Sequence, residues 1–207
     1  LALARFSSAP QEEHPAAADD DQEAVFMVAY TVPGMKSDVG EEVAALLQGR
    51  LDALIDLALT LKHVHWNVTG PHFIAVHTML DPQVEAVRGM ADATAERITT
   101  LGASPSGTPG ALVARRSWDD YSIGRADALA HLAALDVVYA GVIDAHREAI
   151  VTTDDLDPVT QDMLIGQSGQ LELFHWFVRA HLERPDGSLT TGKARTERAA
   201  AKRAPRE

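Results

Sequence analysis

Leu59 to Ile98 reads LTLKHVHWNVTGPHFIAVHTMLDPQVEAVRGMADATAERI. Gly70-Pro71 divides this stretch into the end of one helix and nearly the whole of another, because glycine followed by proline stops a helix. Upstream, Val43, Leu47, Leu51, Leu54, Ala58 and Leu61 recur at steps of three and four, the period of a helix face turned to a core. Asp38, with Glu41 three residues on, resembles a capping box that opens this first helix. His65 continues the same stripe, so its imidazole is expected to point inward. The second helix runs from Ile74 to Leu101 and contains Pro82, which cannot donate to the Thr78 carbonyl. It is expected to bend or loosen the turn that carries Asp81.

Beyond the second helix, Gly102 to Gly110 has loop composition, and a long crossover with Trp118, Asp119 and Tyr121 follows. A third helix is read from about Arg125 to Thr152, with Leu129, Leu132, Leu135, Tyr139 and Val142 on its buried side. Asp157-Pro158 reads as N-cap and first residue of a fourth helix, through Phe174, Phe177, Val178 and His181 to a stop at Pro185-Asp186-Gly187. Four long amphipathic helices with a long second connection predict an all-α fold, the ferritin-like form of the four-helix bundle. A short helix is allowed in the crossover.

With 46% hydrophobic residues in 207, the chain supports one buried domain, and its uninterrupted apolar runs fall short of a membrane span. Residues 37–184 are read as that domain, 1–36 as a flexible acidic arm and 185–207 as a flexible basic tail. The formal charge is −12, yet residues 193–207 carry +4, so −16 lies in the remainder. Leu1 to Pro10 resembles neither a secretory signal nor a transit peptide, and the absence of cysteine fits a reducing cytosol. No membrane partner is expected.

The second helix also carries chemistry. With His77 at the origin, Asp81, Asp92 and Glu96 fall near about 40°, 60° and 100° around the axis, all on one face. His77 with Asp81 and Asp92 with Glu96 are pairs four residues apart, the spacing that brings two side chains to one ion. At least eleven residues separate the two pairs, a rise of roughly 16 Å that no single metal site spans. An antiparallel encounter with a second copy would set His77 and Asp81 of one chain opposite Asp92 and Glu96 of the other, giving two sites per dimer. Glu85 and Arg88 would then flank the two-fold axis; their ordinary alternative is a solvent-exposed pair within the helix.

The string HVHWNVTGPHFIAVHTMLDPQVEAVRGMADATAER resembles the signature of the Dps family, the dodecameric mini-ferritins. LKHVHWNVTGP and DPQVE are similar to its actinobacterial branch, and LDPVTQDMLIG and WFVRAHLE extend the match to Glu183. The resemblance implies a ferroxidase centre shared by two-fold-related subunits, with His65, His77 and Asp81 from one and Asp92 and Glu96 from the other. It implies oxidation of Fe(II), by hydrogen peroxide in preference to dioxygen, and storage of ferric oxyhydroxide inside a homo-dodecameric shell. Hard carboxylates hold iron as it becomes Fe(III), and neutral imidazoles bind Fe(II) without overcharging the site. Manganese and zinc are expected competitors there. Trp66 matches the family's tryptophan beside the centre, an expected trap for stray oxidising equivalents, with a core aromatic as the equal alternative.

Asp162, and less securely Asp157, align with acids that line the family's three-fold iron pores; helix capping is the other role open to Asp157. Family members bind DNA without base specificity through basic tails, here Lys193, Arg195, Arg198, Lys202, Arg203 and Arg206, which implies a cytoplasmic, nucleoid-associated protein. A non-catalytic, DNA-compacting nucleoid protein is the alternative. Glu12, Glu13, His14 and Asp19 to Asp21 offer at most a weak auxiliary metal site. A ferritin centre inside one bundle would need two Glu-x-x-His motifs, and only Glu172 with His175 is present. These two are read as packing and surface residues; His63, His72, His131, His146 and His181 receive no role in the chemistry.

Overall fold

A computed structural model describes residues 30–204. Its long helices are α1 (Ser37–Asn67), α2 (Phe73–Thr100), α4 (Ala128–Thr153) and α5 (Pro158–Ala180), with a short α3 (Pro109–Arg115) in the crossover and α6 (Glu197–Arg203) near the end. The long helices form a square in which α1 neighbours α2 and α4, and α5 neighbours the same two. Leu54, Leu57, Leu61, Leu80, Leu132, Tyr139 and Leu171 fill its main core. A second cluster, around Leu47, Leu51, Ile98, Leu101 and Leu164, closes the end where α1 begins. The apolar stripe read from Val43 to Leu61 is buried throughout.

Local signals mostly act as read. Asp157 caps α5, its side chain accepting from Val159 N–H, and Pro158 follows as first residue. The start of α1 differs: the helix begins at Ser37, after Lys36, so Asp38 lies inside the first turn, where it accepts from Val39 N–H. Helix α2 continues through Pro82. Thr78, whose carbonyl has no N–H at position 82 to receive, turns its hydroxyl back to the Ile74 carbonyl at 2.7 Å. Helix α4 is long and apolar enough by composition to cross a membrane, but its apolar face, from Leu129 through Leu132, Leu135 and Tyr139, is core.

The crossover runs back along α1 and is fastened to it at intervals. Gln48 exchanges two bonds of 2.9 Å with the Ser106 backbone. Arg115 grips the buried Asp52 carboxylate through two bonds of 2.8 Å, and Trp118 Nε1 donates to Asp56 at 3.0 Å. At the far end β1 (Val68–Thr69) and β2 (Ala126–Asp127) pair in parallel. Gly70 makes this junction possible. Its φ is +93°, and a Cβ there would lie 2.3 Å from Asp127 Oδ2, so both backbone and space demand glycine. The turn between α1 and α2 is thereby held against the start of α4.

The basic segment after Pro185, expected to be flexible, is folded through residue 204. Thr196 caps α6, Ala200 and Ala204 are buried in the main core, and Glu197 accepts from Ser122 N–H and Oγ. Thr191 Oγ1 donates to Asp136 at 3.2 Å, and Arg203 Nη1 to the Thr191 carbonyl at 3.1 Å. Charge alone suggested a solvated tail; the alanine face of a short capped helix, meeting α4, outweighs it. Residues 1–29 of the expected acidic arm, with the candidate metal residues Glu12 to Asp21, lie outside the described residues, as does Arg206.

Candidate metal centre

His65 stands in the last turn of α1 and His77 in the second turn of α2, and the tight link at Gly70 sets them face to face. Each imidazole reaches across to the other residue's backbone. His65 Nδ1 lies 2.9 Å from the His77 carbonyl, and His77 Nδ1 lies 2.9 Å from the His65 carbonyl. A carbonyl only accepts, so both Nδ1 atoms donate, and these bonds leave Nε2 of each ring unused. This is how metal-binding histidines are oriented: the second nitrogen fixes tautomer and direction. The rings stack at 3.7 Å between centroids, and Phe73 backs His77 at 4.9 Å.

Asp81, one turn beyond His77, brings Oδ1 to 3.3 Å from His65 Nδ1 and 2.8 Å from Lys62 Nζ. The Lys62 hydrogen bond, aided by the charges of His65, Lys62 and His77, holds the Asp81 carboxyl below its ordinary range against the opposing effect of desolvation. It is therefore ionised and ready to accept a cation. Lys62 was not singled out from the sequence, although its place three residues before His65 puts it on the same helical face.

Asp92 and Glu96 stand exposed farther along α2. Among the described residues no group of three or more His, Asp or Glu side chains closes into a coordination sphere within one chain. The fold brings His65, His77 and Asp81 together and leaves Asp92 and Glu96 apart from them on the same helix. The surface around them is apolar where a solvated face would be polar: Trp66 is 72% exposed and Ile74 63%, with Leu59 and Phe73 also open. Glu85 and Arg88 are both exposed between the two sets. No ion pair joins them among the described residues.

The other candidates separate clearly. Asp157 is only 3% exposed, and Arg97 Nη2 meets its Oδ2 at 2.5 Å. Burial pushes its carboxyl up, and Thr160, Arg97 and Val159 N–H together outweigh this, leaving it below the ordinary range. Its surroundings are those of a cap that ties α5 to α2. Asp162 is exposed on α5. Lys193, Arg195, Arg198, Lys202 and Arg203 are exposed around α6. Glu172 pairs with Arg147 at the surface, and His175 is buried, its Nε2 2.8 Å from Asp136 Oδ1. Asp136 also accepts from Arg179 and Thr191, forming a network that sequence reading missed because its members are far apart in the chain.

Comparison with known proteins bears on the family and the fold. A ferritin-like domain matches residues 44–187. The DNA protection during starvation protein of Mycolicibacterium smegmatis is 57% identical over 181 residues, 87% of this chain and 99% of that protein. The solved structure of DpsA14 from Streptomyces coelicolor superposes with a TM-score of 0.80 at 61% identity, covering 81% of this chain and 100% of that one. The fine tangled pili major subunit of Haemophilus ducreyi is 48% identical over 160 residues, 77% of this chain and 85% of that protein. Relatives of one fold thus carry different names, and a role must be argued from the site.

Proposed function

The chain belongs to the Dps family of ferritin-like proteins, and from that premise we propose that its ferroxidase centre is built by two subunits, each contributing half. The protein is a ferroxidase of iron storage and detoxification, which oxidises Fe(II) and keeps the ferric oxyhydroxide in a hollow homo-dodecameric shell. It works in the cytoplasm, associated with the nucleoid, where it binds DNA without base specificity.

One observation carries the site assignment: the reciprocal bonds between His65 and His77, which occupy both Nδ1 atoms and leave both Nε2 atoms for a metal, beside an ionised Asp81. His65, His77 and Asp81 bind Fe(II) from one side, and Asp92 and Glu96 of the second subunit bind from the other. The carboxylates offset the charge that grows as two Fe(II) become two Fe(III). Hydrogen peroxide takes the two electrons, with two protons, and leaves as two waters, so no hydroxyl radical is released. Lys62 keeps Asp81 ionised and oriented until iron replaces it as counter-ion. Trp66 stands at the rim as a trap for stray oxidising equivalents. Manganese and zinc compete for the same ligands.

Asp162 contributes to the acidic pores that draw in Fe(II), whereas Asp157 acts first as a cap and ion-pair partner. Lys193, Arg195, Arg198, Lys202, Arg203 and Arg206 contact DNA phosphates, multiplied over twelve subunits. Residues 37–184 form the ferritin-like unit, with residues 1–36 as an acidic arm and 185–207 as a basic extension. The test of the centre is anaerobic Fe(II) loading followed by peroxide, read by absorbance, on the His77→Ala/Asp81→Ala variant. Oxidation kinetics equal to those of the unmutated protein would defeat the assignment.

A further inference from the structure

The crossover and the first turn of α4 bring together two groups that the iron chemistry does not use. The Tyr121 hydroxyl lies 3.0 Å from His131 Nδ1, and the two rings are nearly parallel, 6.0 Å apart at 15°. On its other side Tyr121 meets the His63 ring edge-on at 5.7 Å. His63 is fixed by a 2.9 Å bond from Nε2 to the Ile123 carbonyl. It precedes His65 by two residues and Trp66 by three on the same helix. His131 is 0% exposed, and its Nε2 has no hydrogen-bond partner. A buried imidazole so poorly satisfied is costly unless it serves something.

Its surroundings suit one task. Burial, with the charge of His63, pushes the His131 ring down to about 4 against the opposing effects of the Asn67 and Gly124 backbone and of Asp127, so it rests neutral with Nδ1 able to take a proton. Burial, with the charge of Glu197, raises the Tyr121 phenol far above its ordinary value. Its electron can therefore leave readily only if its proton leaves with it, and that requires a base at hydrogen-bond distance. Half-buried Tyr121 has one; buried Tyr139 does not. Tyr139 donates at 2.7 Å to the Gln83 amide oxygen, which is no base. Tyr121 also lines an open cavity of about 990 Å³ between α1, α4, the crossover and α6.

We propose that Tyr121, with His131 as its proton acceptor, is a redox-active sink that removes one-electron oxidants before they damage the shell or its DNA. This inference rests on the ferroxidase reading above. The oxidant is of the hydroxyl-radical class, formed when peroxide meets a lone Fe(II). It takes one electron from Tyr121 and becomes hydroxide. The Tyr121 O–H bond breaks, an N–H bond forms at His131 Nδ1, and a neutral tyrosyl radical remains beside an imidazolium. His131 is a positioning residue, acting only through the phenol.

The experiment is freeze-quench electron paramagnetic resonance on the full-length assembly in two arms. One arm receives sub-stoichiometric Fe(II) and then peroxide, with iron oxidation followed optically in the same sample. The other is oxidised by photogenerated tris-bipyridine ruthenium(III) with no iron present. The expected result in both is a tyrosyl signal whose hyperfine pattern changes when the protein is grown on ring-deuterated tyrosine and which is lost in Tyr121→Phe. In His131→Gln its yield falls by ~100-fold, the low end of what a positioned base contributes. The deuteration result needs no variant to fold. A signal that persists in Tyr121→Phe and disappears in Trp66→Phe overturns the proposal, as does the absence of any tyrosyl signal in the ruthenium arm. Tyr121 oxidation in the ruthenium arm without iron oxidation in the other supports the pair and counts against the ferroxidase reading alone.

Discussion

Mixing His77→Ala/Asp81→Ala subunits with Asp92→Ala/Glu96→Ala subunits is expected to restore iron oxidation that neither variant performs alone. The two halves of the site lie at least eleven residues apart on the continuous helix α2, roughly 16 Å, whereas a ligand atom must come within about 2.0–2.2 Å of its metal. Each homogeneous assembly therefore lacks two of the five ligands at every centre. In a mixed dimer one centre lacks all four mutated ligands, and the other has every one, because the intact halves meet there. Random co-assembly at equal amounts gives an intact histidine half facing an intact acidic half in about a quarter of all centres. The assay is peroxide-driven iron oxidation per subunit, with both variants unfolded and refolded together. Mixing after separate assembly is the control and should restore nothing until subunits exchange. A co-assembled sample no faster than the mean of its two parents refutes the shared centre.

Ending the chain at Ser188 removes Lys193 through Arg206 and is expected to abolish the DNA gel shift at low salt, while the full chain's affinity falls steeply with rising salt; identical shifts would exclude the basic segment. Gly70→Ala places a methyl 2.3 Å from Asp127 Oδ2 at φ +93°. It should cost about 1–3 kcal/mol in denaturant unfolding and, by moving His65 against His77, lower iron oxidation more than stability alone explains. Arg97→Ala leaves the buried Asp157 carboxylate without its cation and should destabilise the fold by about 3–5 kcal/mol; a loss within the error of urea unfolding would show that Thr160 and Val159 suffice. Burial holds the His146 imidazole down at about 4 against an ordinary 6.5. Its contribution to stability is complete above 6.5 and is lost as the pH falls from 6.5 towards 4, where the unfolded chain binds the extra proton. Urea midpoints between pH 7 and 4.5 should decline less in His146→Leu; parallel declines would assign the effect to other groups.

Much was legible because it is local. The stripe from Val43 to Leu61, the stop at Gly70-Pro71 and the cap at Asp157-Pro158 each depend on neighbours within a turn or two, so periodicity and residue type suffice to place α1, α2, α4 and α5. The same locality made His77 with Asp81 and Asp92 with Glu96 readable as pairs, and the fixed rise of a helix excluded a single site within one chain. Other features depend on groups far apart in sequence. Lys62 meets Asp81 across nineteen residues and Arg97 meets Asp157 across sixty, distances over which sequence carries no geometric signal. Asp157 could thus be aligned with a pore, although burial and Arg97 make it a structural anchor. The basic segment could be read as solvated because its charges are visible in one dimension, while the surface that receives Ala200 and Ala204 is made by α4. What the sequence by itself determined was which helices form and which faces carry the candidate ligands. Only the tertiary structure decided how His65 and His77 lock each other's tautomers, because hydrogen bonds between segments exist only after the Gly70 turn has brought two backbones together.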